Sequence, residues 1–473
     1  MSKKQKIHIN DKGELENGMV RGLSNRHVQF IAIAGTIGVG LFKGAGSSIS
    51  LTGPSIIFVY LLTGLFMYFM MRAMGEMLYQ DPDQHTFINF ISRYLGPSWG
   101  YFSGWSYWIS LILLGMAEIT AVGDYMHFWF PNLPSWIIQL VFLVGLTSIN
   151  LIAVKVFGET EFWFAMIKIV AILALIATAI IMALTGFQTD FGKVQISNIL
   201  QNFQVAPNGW MSFIASFQMV FFAYQAIEFV GITVSETANP RKVLPKAIRE
   251  IPSRILIFYV GSLLAIMSII PWNQLSTSGS VEDSPFVLVF QMAGFKWAAG
   301  LINFVILTSA ASALNSTLYS TGRHLYQLSH EAPNKLMTKT KLQALSHTGV
   351  PSRAIIFSAI IIAGSALVGM IPGIQSAFQL ITAASSGVYI TIYLLTMWAH
   401  LRYRQSSDFM ANGYLMPRYK LLNPLTMIFM LFVFGTLFLQ VDTRYGVYGS
   451  IVWIICLGFV SYRRFRKQAK KDI

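Results

Sequence analysis

An all-α membrane protein with twelve transmembrane helices is the fold class this chain predicts, and three observations carry the prediction. Only 11% of the residues are charged while 54% are hydrophobic, and the mean hydropathy is +0.56. A water-exposed surface on 473 residues needs far more charge than that. The apolar residues also fall in runs long enough to cross about 30 Å of hydrocarbon, which takes roughly 20 helical residues. Finally, the basic residues segregate to alternate connections, as membrane insertion demands.

The apolar runs lie near 28–48, 54–75, 98–128, 134–154, 163–185, 210–235, 254–272, 286–320, 354–372, 376–400, 422–440 and 443–462, with a short extracellular helix expected at 286–294. More than twenty polar residues precede the first run and no small-residue cleavage site follows it, so a removable signal peptide is not expected.

The formal net charge of +14 raises the question of a nucleic-acid partner. Its distribution answers it. Numbering the connections alternately from an inner N-terminus places 29 of the 34 Lys and Arg residues inside. The outer set is Lys43, Lys193, Lys296 and Arg444, and Lys168 lies within a span. The charge therefore reports topology, with both termini cytoplasmic, and not a polyanion partner. The basic tail from Arg463 to Lys471 is expected to lie against anionic lipid of the bilayer. A lone cysteine, Cys456, excludes an internal disulfide and a Cys-based metal site.

The first span carries "GTIGVGLFKGAG", with Gly35, Gly38, Gly40, Gly44 and Gly46 where the bilayer calls for a helix. Each glycine weakens a helix interior by about 1 kcal/mol relative to alanine. Two readings stay open. The glycines can be a small-xxx-small packing surface, or they can mark an unwound segment. Unwinding leaves backbone groups unpaired in lipid unless something else satisfies them, and a zwitterion does so. Amides at the start of an outer half-helix suit a carboxylate, and free carbonyls at the end of an inner half-helix suit an ammonium.

Span 6 contains "FFAYQAIEFVG", residues 221–231, with polar groups at mid-depth. Interrupted helices at matching ordinal positions are a mark of inverted repeats in secondary transporters. This divides the chain into a cytoplasmic segment 1–27, a core 28–400 made of spans 1–5 and 6–10, spans 11 and 12 over 401–462, and the tail 463–473.

The text "RGLSNRHVQFIAIAGTIGVGLF", "TGPSIIFVY", "MRAMGEM", "GPSWGYFSGWSYW", "NLIAVKVFGETEFWFAMIKIVAI", "SETANPRKVLPKAI" and "INFVILTSAASALNS" resembles bacterial amino-acid permeases of the amino acid–polyamine–organocation superfamily, over nearly the whole chain. "SISLTGPSIIFVY", "MRAMGEM" and "EFWFAMIKIVAI" resemble in particular the D-serine/D-alanine/glycine transporter group, and the aromatic amino-acid permeases less so.

The resemblance implies a LeuT-like fold, a 5+5 inverted repeat with discontinuous helices 1 and 6, and uptake of an amino acid with a proton. It implies a carboxylate site at Gly38, Val39 and Gly40, and an amine site near Thr36 and the span-6 backbone at Phe222, Ala223, Tyr224 and Gln225. Two positions depart from the family pattern: Val39 replaces a common Thr or Ser, and Ala226 replaces a common glycine. A methyl group at Ala226 narrows the pocket or limits the unwinding.

Glu118, Lys168 and Glu228 lie well inside spans, where charge is costly and marks either function or internal pairing. Low-dielectric burial disfavours an ammonium ion, and the resemblance implies that Lys168 carries the coupled proton. The alternative is a static lysine satisfying nearby carbonyls. Glu228 is expected to meet backbone amides of the inner half-helix, and Glu118 to read the amine, hold a proton or pair with a tyrosine.

Tyr107, Trp108, Phe222 and Tyr224 can close over a substrate or sit at membrane interfaces. Ser309, Ser312 and Asn315 suit hydrogen bonds within or between helices. His85, His127 and His324 have no metal-ligand spacing. No cofactor motif and no nucleophile–base pair appears, which leaves an enzyme without support. The expectation is a proton-coupled importer of small neutral amino acids, with aromatic amino-acid permease, exchanger or facilitator, and nutrient sensor as rivals.

Overall fold

The computed structural model describes residues 37–82, 84, 86–152, 154–200, 203–229, 239–275, 284–294, 297–331, 335–371 and 376–469. Thr36, Gly35, His85, Lys296 and the inner half of span 1 lie outside the described residues, as do the start of the chain and its last four residues.

The described chain is almost wholly helical, because lipid offers backbone groups no hydrogen bonds and a helix satisfies them internally. Helices α1 (Val39–Phe42) and α2 (Gly44–Thr52) form one helical run with a turn at Lys43. The chain reverses at Gly53–Ser55, where Gly53 has φ +60°, into α3 (Ile56–Gln80). Then follow α4 (Ile88–Leu95), α5 (Pro97–Met126), α6 (Ser135–Ile152), α7 (Val154–Thr185) and α8 (Trp210–Ala223).

The second half contains α9 (Pro240–Ile269), α10 (Pro285–Met292), α11 (Ala298–Glu331) and α12 (Ser352–Val368). It ends with α13 (Ala377–Tyr403), α14 (Tyr419–Thr436) and α15 (Val441–Ala469). A small hairpin of Gln188–Thr189 with Gly192–Lys193 joins α7 to α8.

Nine helical runs among the described residues are long and apolar enough to cross a bilayer, with shorter apolar helices at Trp210–Ala223 and Ser352–Val368. The protein is thus a multi-pass, all-helical membrane protein. One expected boundary changes: span 5 begins at Val154 instead of 163. The short helix expected at 286–294 is present as α10, ahead of the longer α11.

The core lies where α11 and α13 each pack against α5. Most of each of these helices is buried, whereas α6, α7, α14 and α15 expose Val141, Ile181, Leu431 and Ile455 outward. Helices covered on all sides form the centre; those with one bare apolar flank face lipid.

Candidate functional site

The centre of the bundle holds a small cavity, and span 1 provides its first wall. Gly38 is extended (φ −114°, ψ −160°), and the helix begins at Val39. The first amides of a helix have no partner within it. Here the Glu118 carboxylate, from α5, accepts a hydrogen bond from the Val39 backbone. A Cβ at Gly38 would stand 2.7 Å from Glu118 Oε1, so the glycine is what lets that carboxylate approach. Just before Gly38, Ser309 Oγ of α11 donates to Ile37 O at 3.1 Å.

Farther along, a Cβ at Gly40 would stand 2.6 Å from Ala223 Cα, and one at Gly44 would stand 2.8 Å from Met219 Cγ. These two glycines form a close-packing stripe against α8. The two readings of the glycine run therefore divide by position: Gly38 stands at a helix start, while Gly40 and Gly44 allow helix contact.

Span 6 supplies the second wall. Helix α8 stops at Ala223, and residues 224–228 form turns. Ala226 has φ +66°, a conformation that costs a non-glycine residue about 1–2 kcal/mol. The carbonyl freed at the helix end is not left bare: Tyr259 Oη donates to Ala223 O at 2.9 Å. The Gln225 amide is held on both atoms by α13, donating from Nε2 to Ser386 Oγ at 2.9 Å and accepting at Oε1 from Ser385 Oγ at 2.9 Å.

The cavity is bounded by Gly38 and Gly40 of span 1, Leu114 and Glu118 of α5, and Ala313 and Thr317 of α11. Phe222, Ala223, Gln225, Ala226 and Phe229 close it from span 6. The atom-free space between these residues is about 340 Å³, including the part open to solvent. Glu118 is buried, and among the described residues its Oε2 has no hydrogen-bond partner.

Of the residues singled out from the sequence, Gly38, Gly40, Glu118, Phe222, Ala223 and Gln225 meet at this cavity. Val39 is fully buried and contributes its backbone. Tyr224 turns its side chain elsewhere, donating from Oη to Tyr60 O at 3.0 Å and stacking on Tyr259 at 4.9 Å. Trp108 likewise points away, with its indole N–H on Ser358 Oγ at 3.2 Å.

Lys168 is fully buried and interacts electrostatically with Glu118 and with Glu161. Glu161 was absent from the expected set. It accepts from Ser312 Oγ at 2.5 Å and from Asn315 Nδ2 at 3.4 Å, and Asn315 in turn accepts from Asn150 Nδ2 at 2.7 Å. Glu161 precedes Lys168 by seven residues, two helical turns, so both lie on one face of α7. That spacing was the available signal, hidden by a span start placed at 163.

Glu228 stands apart from this trio. It accepts from Tyr107 Oη at 3.1 Å and Tyr393 Oη at 2.6 Å, so its main partners are phenols from α5 and α13. His324 packs edge-on to Tyr107 at 5.1 Å and bonds Gly104 O at 2.8 Å.

On the side of the cavity where α5 ends, Lys43 pairs with Asp124, and its ammonium lies 4.5 Å from the Phe378 ring centroid. Phe378 is 5.8 Å from Phe222, which borders the cavity. Among the described residues no three His, Cys, Asp or Glu side chains group as a metal site needs.

A helix start from span 1 and a turned helix end from span 6, meeting at a buried cavity beside the Glu118 carboxylate, define a multi-pass membrane protein with a polar cavity at its centre. The family described as amino acid permease matches residues 27–472, and the chain belongs to that family. It is 48% identical to the DL-alanine permease SerP2 of Lactococcus lactis, over 97% of this chain and 99% of that one. It is 45% identical to the serine permease SerP1 of the same organism, over 94% and 97%. A D-serine/D-alanine/glycine transporter of Escherichia coli is 41% identical, over 96% of each chain.

Proposed function

We propose that this protein imports small neutral α-amino acids (alanine, serine or glycine, in either chirality where there is one) across the plasma membrane together with a proton. The observation that carries the reading is the meeting of the Val39 helix start with the span-6 break at one buried cavity. The names of the relatives above support the substrate class. They are transporters, which favours carriage over catalysis.

In this reading the chain has twelve spans with a LeuT-like inverted repeat, and the distribution of basic residues supports cytoplasmic termini. The substrate carboxylate takes the amides of Gly38, Val39 and Gly40, helped by the helix dipole. Its ammonium faces the span-6 backbone from Phe222 to Gln225, and carbonyls near Thr36. The orphan Oε2 of Glu118 is a further acceptor for that ammonium.

The substrate carboxylate and Glu118 compete for the Val39 amide, which links binding to charge. A second anion beside Glu118 favours a positive charge on Lys168, so Lys168 holds a proton while substrate is bound and releases it on the inner side. Glu228, ringed by phenols, is a second proton-holding candidate.

Uptake into proteoliposomes under an imposed pH gradient tests the reading. Labelled alanine, serine and glycine are expected to accumulate against their gradients, and Lys168→Ala to abolish accumulation. Concentrative uptake that persists in Lys168→Ala removes the coupling role and leaves an exchanger or facilitator. A substrate panel dominated by phenylalanine rejects the small-substrate assignment.

A further inference from the structure

We propose that Ala226 sets the largest side chain this site accepts. The inference rests on the small-amino-acid reading above and assigns its size limit to one residue.

Three non-glycine residues have positive φ among the described residues: Ala226, Lys341 and Arg418. The last two lie in polar connections between helices. Ala226 is buried at the span-6 break and lines the cavity. Its conformation is one that glycine adopts without cost. An alanine there gains no polar contact from its side chain, so the methyl group contributes volume and nothing else.

The position of that methyl group is fixed from both sides. Before it, Gln225 is pinned by Ser385 and Ser386. After it, Phe229 N–H closes a turn onto Ala226 O at 3.0 Å. The backbone therefore cannot easily swing the methyl group out of the way.

The span-1 wall is built as tightly, since a Cβ added at Gly38 would meet Glu118 and one at Gly40 would meet Ala223. Ala226 lines the same narrow cavity as those glycines, so one carbon atom more or less at this position changes the room left for a ligand's side chain. In a pocket of this kind one methylene discriminates between ligands by about 10–200-fold.

The test is competition against labelled alanine uptake in proteoliposomes, with glycine, 2-aminobutyrate and valine as competitors. In Ala226→Gly the inhibition constants of 2-aminobutyrate and valine, each divided by that of glycine, are expected to fall about tenfold. In Ala226→Ser, which adds one atom at the same place, the same ratios are expected to rise.

Unchanged ratios in both variants overturn the proposal. So does a parallel change for every competitor, because that marks a looser hinge and not a wider pocket. Leu114→Ala opens the cavity from α5; if it alone broadens the range, the size limit belongs to Leu114. A wild-type protein that takes up no neutral amino acid sinks the underlying reading, whereas normal alanine uptake with unmoved ratios sinks only the role of Ala226.

Discussion

Glu161 and Lys168 share a face of α7, and Glu161 is tied by Ser312 and Asn315 to α11. Removing one member of a buried charge pair leaves the other uncompensated, at about 3–5 kcal/mol. Glu161→Ala is therefore expected to lower the melting temperature of the purified protein markedly. Glu161→Gln keeps the shape and a polar partner for both neighbours, so it should fold yet lose proton-driven accumulation. A Glu161→Gln protein that accumulates alanine normally would separate this carboxylate from coupling.

Gly40 makes a purely steric prediction. Its missing Cβ would meet backbone, which cannot rotate aside, so Gly40→Ala is expected to cost about 1–3 kcal/mol in stability and to suppress uptake. The glycine positions were legible in the sequence, as were Glu118, Lys168 and Glu228. Glu161 was not, because "FGETEF" is polar enough to be taken for a connection, and a buried carboxylate has the same letter as a solvated one.

At the scale of the helix, the break in span 6 is held by neighbours far away in the chain. Gln225 depends on Ser385 and Ser386, and the Ala223 carbonyl on Tyr259; in span 1 the Ile37 carbonyl depends likewise on Ser309. Replacing both serines with alanine leaves two buried amide atoms unpaired, at about 1–3 kcal/mol each. The double variant is expected to raise the KM for alanine far more than either single change, measured in the same uptake assay. Equal KM values in all three would show that the clamp does not position the turn.

The order of apolar runs was readable from hydropathy, and the turn within span 6 from the polar residues in that run. The partners of the exposed backbone were not. Periodicity within one helix says which face is apolar, but not which residue of another helix stands opposite it. Tyr224 shows the cost: its place at the break suggested substrate contact, while its hydroxyl belongs to Tyr60 of α3.

For the whole molecule, the described residues flank the cavity by unlike means on two sides. Toward the proposed outer side, Lys43, Asp124, Phe378 and Phe222 form a stack from the surface to the cavity. Toward the other side, Glu228 joins α5 to α13 through Tyr107 and Tyr393. Farther inward, Glu76 of α3 accepts from Arg404 Nη2 at 2.6 Å and from the Met416 amide at 2.6 Å, fastening α3 to the connection before α14. Asp124→Asn keeps the size of the side chain but removes the ion pair, and is expected to speed thiol labelling of a cysteine introduced at Phe222. Unchanged labelling would mean that the aromatic rings alone seal that end.

The Lys43–Asp124 pair is wet: the side chains are 18% and 46% exposed, unlike the fully enclosed Glu228. Dissolved ions reach it, and an exposed ion pair of this kind is weak and screened by salt. The two flanks of the cavity thus answer to different solutions. Brine on one face loosens its lock, while the opposite flank, sealed in protein, stays indifferent. Transport measured from the two faces should then differ in its response to potassium chloride, a built-in asymmetry that needs no change in the substrate site.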